Sequence, residues 1–183
     1  MVIGPDVTRV ATKKDFLEIQ RVLKAAFGRE AEAELVRRLR KDGDMLTEFV
    51  KPWNGSIAAY AALSRMNTPK NWACLAPVAV LPKYQRGAIA PTPSLKEQFS
   101  FGTRLVREIV DLCLHAQLGE EYSLVPRTIV VVGDPKFYGR AGFSSERASN
   151  LQSPYSIEKT LLAGPGDDVP MESLAYPAAF EEM

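Results

Sequence analysis

The fold is decided by one stretch of sequence, Leu75-Ala76-Pro77-Val78-Ala79-Val80-Leu81-Pro82-Lys83-Tyr84-Gln85-Arg86-Gly87-Ala88-Ile89-Ala90. Its first half completes an apolar run over 72–81, which is typical of a strand that is buried on both faces. Its second half is a polar loop with a glycine, and a helix-forming segment follows at 101–118. A strand, a loop of free backbone N–H groups and a helix N-terminus together predict a cradle for a pyrophosphate.

This predicted cradle has residues that suit an anion, but it is interrupted. The residues that can contribute backbone N–H groups or positive charge are Gln85, Arg86, Gly87, Gly102 and Arg104. Ten residues, 91–100, separate the loop from the helix, and two prolines among them prevent the helix from starting earlier. We therefore expect the anion site to be assembled from two separated pieces of chain.

A second buried strand is predicted at 127–132, where the sequence reads Arg-Thr-Ile-Val-Val-Val. Because a helix lies between them, the strands at 72–81 and 127–132 are expected to be parallel and joined by a right-handed crossover. A short helix is predicted next, at 136–141, following Pro135. Tyr138 on this helix then lies at the carboxyl end of the sheet, where open α/β sheets bind ligands. A packed tyrosine with a solvated hydroxyl is the alternative interpretation.

The remaining patterns predict one α/β domain over residues 1–183. Helices are expected at 13–27 and 30–41, and strands at 7–12, 45–52, 56–65, 143–147 and 158–163. Thr12 and Asp15 form a capping-box pattern at the first helix, and Trp53-Asn54-Gly55 is a hairpin turn. The tail at 164–183 is expected to be a loop or a peripheral wrap.

Composition excludes several classes of function. The net charge of +1 gives no overall field that favours nucleic acid or an anionic membrane, and no segment reaches membrane-spanning length. Cys74 and Cys113 lack metal-ligand spacing, so reduced, buried thiols in a cytoplasmic protein are expected, with a bridge between them as the alternative. His115 is the only histidine, which excludes a Cys/His zinc site and disfavours a nucleophile–histidine triad; no metal is expected.

Four segments, in this order, carry a resemblance to a known family: 27–40, 75–85, 102–106 and 131–143. Together they resemble the GNAT superfamily of N-acetyltransferases, most nearly its YhbS-like bacterial branch. The resemblance implies a mixed α/β sheet of about six to seven strands with flanking helices, splayed open between two central parallel strands. Acetyl-CoA would lie in this wedge as the acyl donor.

The resemblance also implies roles for individual residues. The pantetheine amides of acetyl-CoA would pair with the free edge at Val78, Ala79 and Val80. The pyrophosphate would sit on the backbone of 85–90 and 102–104, a stretch that includes Thr103. Tyr138 matches the tyrosine that acts as the general acid on the departing thiolate. The N–H of Val78 or Ala79 would polarise the thioester carbonyl.

The cradle departs from the family pattern at one point. The family's loop reads Gln/Arg-x-x-Gly-x-Gly/Ala, and Ala88 stands here where the central glycine belongs, although Gln85 and Ala90 fit. Alternatively, Gly102 is the last residue of the motif and the chain from about 87 to 101 is an insertion. Either arrangement leaves the binding of acetyl-CoA dependent on how the inserted residues fold.

A general base is needed as well, because the attacking amine must be neutral. Glu48, on the strand predicted at 45–52, is the first candidate. A water molecule relayed by backbone carbonyls is the second. An ordinary exposed position for Glu48 is the interpretation that its residue type favours, since charged residues are mostly exposed.

The predicted function is the transfer of an acetyl group from acetyl-CoA to a primary amine, by direct attack in a ternary complex. The acceptor is a small molecule or a peptide, and the protein is a monomer or a homodimer. Two alternatives are a non-catalytic acyl-CoA-binding or interaction protein with a degraded site, and a structural protein whose wedge is filled by the 91–100 insertion.

Overall fold

The computed structural model describes residues 7–115 and 126–181. Within these ranges, one mixed sheet is formed in chain order by β1 (Arg9–Val10), β2 (Met45–Trp53), β3 (Ser56–Arg65), β4 (Trp72–Val80), β5 (Thr128–Val132) and β6 (Thr160–Ala163). Neighbouring strands are antiparallel except β4 and β5, which are parallel. The expected mixed sheet with a central parallel pair is therefore confirmed.

The α-helices of the described residues are α1 (Phe16–Phe27), α2 (Ala31–Asp42), α3 (Phe101–His115) and α4 (Pro135–Gly139). α1 and α2 end at Gly28 and Gly43, which have φ values of 68° and 78°, a left-handed conformation that glycine adopts without a steric penalty. The predicted continuation of α3 over 116–118 lies outside the described residues. None of the described helices has the length and apolar content that a membrane span requires.

Helices cover both faces of the sheet. On one face α3 packs on the strands, with Leu105 and Leu63 of β3 in the same buried cluster. On the other face α1 and α2 pack on the strands, and Leu23 of α1 shares a buried cluster with Tyr60 of β3. Because side chains alternate along a strand, the same strands supply separate buried clusters on the two faces of the sheet.

The strand predicted at 143–147 is not formed. Ser144 makes an isolated bridge with Leu162 of β6, and the chain then turns. A single bridge adds Ser144 to the edge of the sheet without making a further strand. The strand expected over 158–163 is shorter than predicted, since a 3₁₀ helix at Ile157–Lys159 precedes β6.

The C-terminal tail is more than the peripheral wrap that was expected. Leu174, Tyr176 and Phe180 are buried in one cluster with Leu39 of α2. Ala175 also forms a bridge with Thr68. Apolar side chains over 174–180 thus anchor the end of the tail in the core, whereas 165–169 and 171–173 are exposed.

Candidate active site

The two central parallel strands part after a short paired segment. β4 and β5 are in register only at Trp72–Thr128, Ala73–Ile129 and Cys74–Val130. β4 then runs on to Val80 while remaining paired with β3. The β3–β4 register shifts in the segment that contains Pro77, which has no N–H to donate to a ladder. The expected divergence of the two strands is thus present, and it leaves a wedge.

A cavity of about 380 Å³ occupies this wedge. Of the residues singled out from the sequence, those that line the cavity are Val78, Ala79, Val80, Gln85, Arg86, Gly102, Thr103 and Tyr138. The structure therefore brings together residues from β4, the following loop, the start of α3 and α4. We refer to this space as the wedge cavity.

The loop after β4 is held by backbone conformation and by one side chain. Gln85 Nε2 donates a hydrogen bond of 3.0 Å to the carbonyl of Val80, which ties the loop to the end of the strand. Arg86 and Gly87 follow with φ values of 54° and 68°. Gly87 does not line the wedge cavity; a Cβ there would lie 2.9 Å from the backbone oxygen of Lys96. Gly87 thus allows the 91–100 insertion to approach the loop closely.

The insertion packs outside the wedge. Phe99 is only 4% exposed and meets the Trp53 ring edge-on, with ring centroids 5.8 Å apart. Ser100 is the residue of 91–100 that borders the wedge cavity within the described part of the chain. The cavity is therefore not filled by the insertion, contrary to what the structural-protein alternative requires.

The start of α3 forms one wall of the cavity. Phe101, Gly102 and Thr103 all line it, and they belong to the first turn, whose N–H groups have no acceptor within the helix. A Cβ on Gly102 would lie 3.0 Å from Val80 Cγ2 and 3.3 Å from Phe137 Cζ. Glycine therefore lets the positive end of the helix dipole approach β4 and α4, which favours an anion in the cavity.

The positive charge at the cavity differs from the one expected. Arg86 and Arg140 line it, whereas Arg104 is absent from its wall. Arg104 Nη1 instead donates to the carbonyl of Gln98 at 2.9 Å, and Arg104 Nη2 lies 3.7 Å from Glu108. The cavity wall therefore contains Arg140, which the sequence did not indicate, and lacks Arg104, which was expected there.

Tyr138 stands on α4 and is held among aromatic rings. Its ring centroid lies 4.8 Å from that of Phe137 and 5.7 Å from that of Phe143, both in edge-on contact. Asp134 caps the helix by accepting a 2.9 Å hydrogen bond from the N–H of Lys136. Burial raises the pKa of the Tyr138 phenol well above its usual 10. The hydroxyl is therefore protonated at neutral pH and can donate a proton into the cavity.

Glu48 occupies a different environment from any that was expected. Glu48 is 8% exposed and is not among the residues that line the wedge cavity. Its carboxylate accepts hydrogen bonds from both Nε and Nη2 of Arg40, at 2.9 and 2.6 Å, and from the hydroxyl of Tyr60 at 2.7 Å. The exposed position considered for Glu48 is thus wrong, because β2 presents this side chain to α2.

The two cysteines of the chain are free and buried. Burial raises the pKa of the Cys74 thiol to about 12 and that of Cys113 to about 11. A thiol is a nucleophile as its thiolate, so neither group is activated at neutral pH. The described residues also contain no group of three or more His, Cys, Asp and Glu side chains that could hold a metal ion.

Some residues of the cavity wall were missed from the sequence. They are Ala26, Phe27, Ser100, Phe101, Asp134, Phe137 and Arg140. Phe27 offered a signal, because a large apolar side chain at the end of a helix is costly to expose unless it borders a binding site. It is 38% exposed and lines the cavity. The others depend on how α1, α3 and α4 meet, which local patterns do not specify.

The similar proteins described below are all acetyltransferases. No family model matches the chain. The uncharacterized N-acetyltransferase YhbS of Escherichia coli K12 is 30% identical over 139 residues, which is 74% of this chain and 71% of YhbS. The crystal structure of YhbS from E. coli in complex with CoA superposes with a TM-score of 0.77 at 24% identity, over 99% of this chain and 94% of that one. A GNAT acetyltransferase from Brucella melitensis in complex with acetyl-CoA gives 0.64 at 25% identity, over 95% and 97%.

Proposed function

Because this chain belongs to the GNAT family of N-acetyltransferases, we propose that it transfers an acetyl group from acetyl-CoA to a primary amine. The observation that carries the proposal is the wedge cavity, in which Tyr138 and the N-terminus of α3 face one space between parted strands. CoA and acetyl-CoA in the crystal structures of the E. coli and B. melitensis relatives support the choice of donor.

Acetyl-CoA would bind along β4. Beyond Cys74 this strand has no pairing with β5, so its edge can accept the extended pantetheine arm in the manner of an added strand. The pantetheine amides would pair with Val78–Val80. The pyrophosphate would then reach the loop at 85–87 and the first turn of α3, where N–H groups and Arg86 favour negative charge.

In the reaction, the neutral amine attacks the thioester carbonyl and a C–N bond forms. The N–H of Val78 or Ala79 would stabilise the negative charge that develops on the carbonyl oxygen. The C–S bond then breaks, and the departing thiolate takes the proton of the Tyr138 hydroxyl. Positioning the two substrates in one cavity can supply up to ~7–11 kcal/mol of the rate acceleration.

Two proton transfers complete the balance of the reaction. The attacking nitrogen loses a proton to a base, and the Tyr138 phenolate regains one from solvent. A relayed water molecule suits the first transfer, because the Glu48 carboxylate is occupied by Arg40 and Tyr60. Direct attack, without an acetylated enzyme, is supported by the burial of both cysteines. The acceptor class remains a small-molecule or peptide amine.

A second candidate function is non-catalytic binding of acyl-CoA. The interrupted cradle favours it, together with the engagement of Glu48 outside the wedge cavity. In such a protein the cavity would hold acyl-CoA, and the bound thioester would not react with amines.

Two measurements separate these functions. Acetyl-CoA at 100 times its dissociation constant should raise the free energy of unfolding by ~2.7 kcal/mol, which a thermal melt detects. Release of free thiol is then followed with a panel of peptide, polyamine and small-metabolite amines. Amine-dependent thiol release supports the acetyltransferase, stabilisation without release supports the binding protein, and the absence of any stabilisation contradicts both.

A further inference from the structure

A second concavity, of about 660 Å³, adjoins the wedge cavity. Its lining residues are Arg86, Glu97, Ser100, Thr103, Arg107 and Arg140, and we call it the arginine groove. Apart from Glu97 and Arg107, the same residues also border the wedge cavity. The groove therefore continues the wedge outward past the N-terminus of α3, and a long ligand that fills the wedge would extend into it.

The charge of the arginine groove is strongly unbalanced. Three guanidinium groups from the loop after β4, from α3 and from the end of α4 share it with one carboxylate, Glu97. The contact between Arg107 Nη1 and Glu97 Oε1 is long, 3.5 Å, and the Glu97 side chain is 78% exposed. In the described part of the chain Arg86 and Arg140 have no carboxylate partner. Such convergence of like charges is relieved when an anion binds between them.

Arg107 is fixed in a position that suits this role. Its Nη2 atom donates a 3.0 Å hydrogen bond to the backbone carbonyl of Arg140, which joins α3 to the end of α4. Arg107 also follows Thr103 by four residues, so the two side chains share one face of α3. That face is continuous with the first turn, where the pyrophosphate is proposed to bind.

We propose that the arginine groove binds the 3′-phosphate of the CoA ribose, with Arg107 as the residue that distinguishes CoA from 3′-dephospho-CoA. The inference rests on the proposed function, because it extends the binding of acetyl-CoA beyond the pyrophosphate. The 3′-phosphate is a phosphomonoester that carries nearly two negative charges, and a guanidinium matches its oxygens through two parallel N–H donors. Arg86 borders both spaces and serves the pyrophosphate, whereas Arg107 borders the groove alone.

Glu97 has the opposite effect in this arrangement. It comes from the 91–100 insertion and lies against Arg107, so it competes with the phosphate for the same guanidinium. The insertion thus tunes the affinity for the nucleotide end of the cofactor without entering the wedge cavity.

The test is the dissociation constant of CoA and of 3′-dephospho-CoA, measured by calorimetric titration. The wild-type protein should bind CoA more tightly by a factor on the order of 10 to 100, the effect of one or two hydrogen bonds to a charged group. Arg107→Gln should remove most of this preference and leave the affinity for 3′-dephospho-CoA unchanged. Glu97→Gln should strengthen CoA binding by roughly 2- to 5-fold, as expected for the loss of one exposed ion pair.

Arg65→Gln is the matched control, since Arg65 is an exposed arginine at the end of β3, outside both spaces. It should alter neither dissociation constant. Equal affinity of the wild type for both compounds overturns the proposal, as does an equal loss of both affinities in Arg107→Gln, which would assign Arg107 to the pyrophosphate. If neither compound binds, the proposed function fails together with this inference.

Discussion

Gly133 lies directly beneath the ring of Tyr138. A Cβ built on the glycine would overlap Cε2 of the tyrosine and lie 3.1 Å from its Cδ2. The residue that follows β5 therefore determines where the ring of Tyr138 lies at the wall of the wedge cavity. Any side chain at this position must displace the ring. The displacement also disturbs the contacts that the ring makes with Phe137 and Phe143.

Gly133→Ala is expected to lower kcat by about 10- to 100-fold, because a displacement of the order of 1 Å is enough to misplace the proton donor. The dissociation constant of acetyl-CoA should change little. Gly139→Ala is the control, since a Cβ there meets nothing within 4 Å, and its kinetics should match those of the wild type. Unchanged turnover in Gly133→Ala would contradict the assignment of Tyr138.

Tyr138→Phe removes the proposed acid and keeps the ring. Turnover should fall by about 10²–10⁴-fold, as for the loss of a general acid, with the affinity for acetyl-CoA retained. Tyr155→Phe, which alters a tyrosine outside the cavity wall, is the control for loss of a phenolic hydroxyl. An equal loss of acetyl-CoA affinity in Tyr138→Phe would show that the hydroxyl binds the cofactor.

The pH profile tests the same residue. Burial raises the pKa of Tyr138 above 10, so the phenol remains protonated at every pH below that raised value. The wild-type kcat should therefore show no alkaline loss between pH 7 and about 10, where an unperturbed tyrosine would start to ionise. A fall in kcat centred below pH 9 would identify another group as the acid.

Glu48→Gln distinguishes a base from a structural ion pair. Neutralising Glu48 leaves Arg40 facing a partly buried amide, so the free energy of unfolding should fall by up to about 3–5 kcal/mol. The kcat of the folded variant should stay within a few-fold of the wild-type value. Tyr60→Phe removes only the hydroxyl donor and should reduce stability by about 0.5–1.5 kcal/mol. A large loss of kcat in Glu48→Gln, at unchanged stability, would support Glu48 as the general base.

Gly87→Ala tests the contact between the cradle loop and the insertion. Both Gly87 and Gly43 have positive φ, so alanine at either site meets the left-handed penalty of about 1–2 kcal/mol. A Cβ at Gly87 additionally meets the Lys96 oxygen at 2.9 Å, whereas one at Gly43 meets nothing within 4 Å. Denaturation should show a larger loss for Gly87→Ala, and only this variant should bind acetyl-CoA more weakly. Equal losses, with the affinity retained, would argue against a role of this contact in the cradle.

Asp15→Asn tests the capping box, which the structure confirms. The carboxylate accepts hydrogen bonds from the Thr12 N–H at 2.7 Å and from both terminal nitrogens of Arg9 at 2.8 Å. The hydrogen bond from Arg9 is the largest cause that holds the pKa of Asp15 well below its usual range. The variant should be less stable at pH 7 by about 0.5–2 kcal/mol.

Because this pKa is lowered by folding, the stabilisation is present above the unfolded-state pKa of about 4 and is lost as the pH falls below it. The difference between wild type and Asp15→Asn should thus be constant from pH 6 to 8 and should shrink towards pH 3. Asp111→Asn, on the exposed side of α3, is the control for replacing a surface carboxylate by an amide. A difference that grows on acidification would exclude the ion pair as its source.

Much of the architecture was predictable because its signals are local. Apolar runs specified β4 and β5, helical periodicity specified α1 and α2, and Asn54-Gly55 specified the hairpin between β2 and β3. The order strand, helix, strand was enough to make β4 and β5 parallel. The position of Tyr138 at the carboxyl end of the sheet was predictable for the same reason, because its helix follows β5 directly.

The directions of side chains were decided by tertiary structure. Arg104 and Thr103 are adjacent in sequence, but neighbouring residues on a helix point about 100° apart, so only the packing of α3 settles which one lines the cavity. Glu48 is buried because α2 presents Arg40 to it, a contact between residues on different elements. The burial of the tail depends likewise on α2 offering an apolar surface to Tyr176 and Phe180. Periodicity specifies which elements form, whereas the pairing of their faces depends on contacts between residues that lie far apart in sequence.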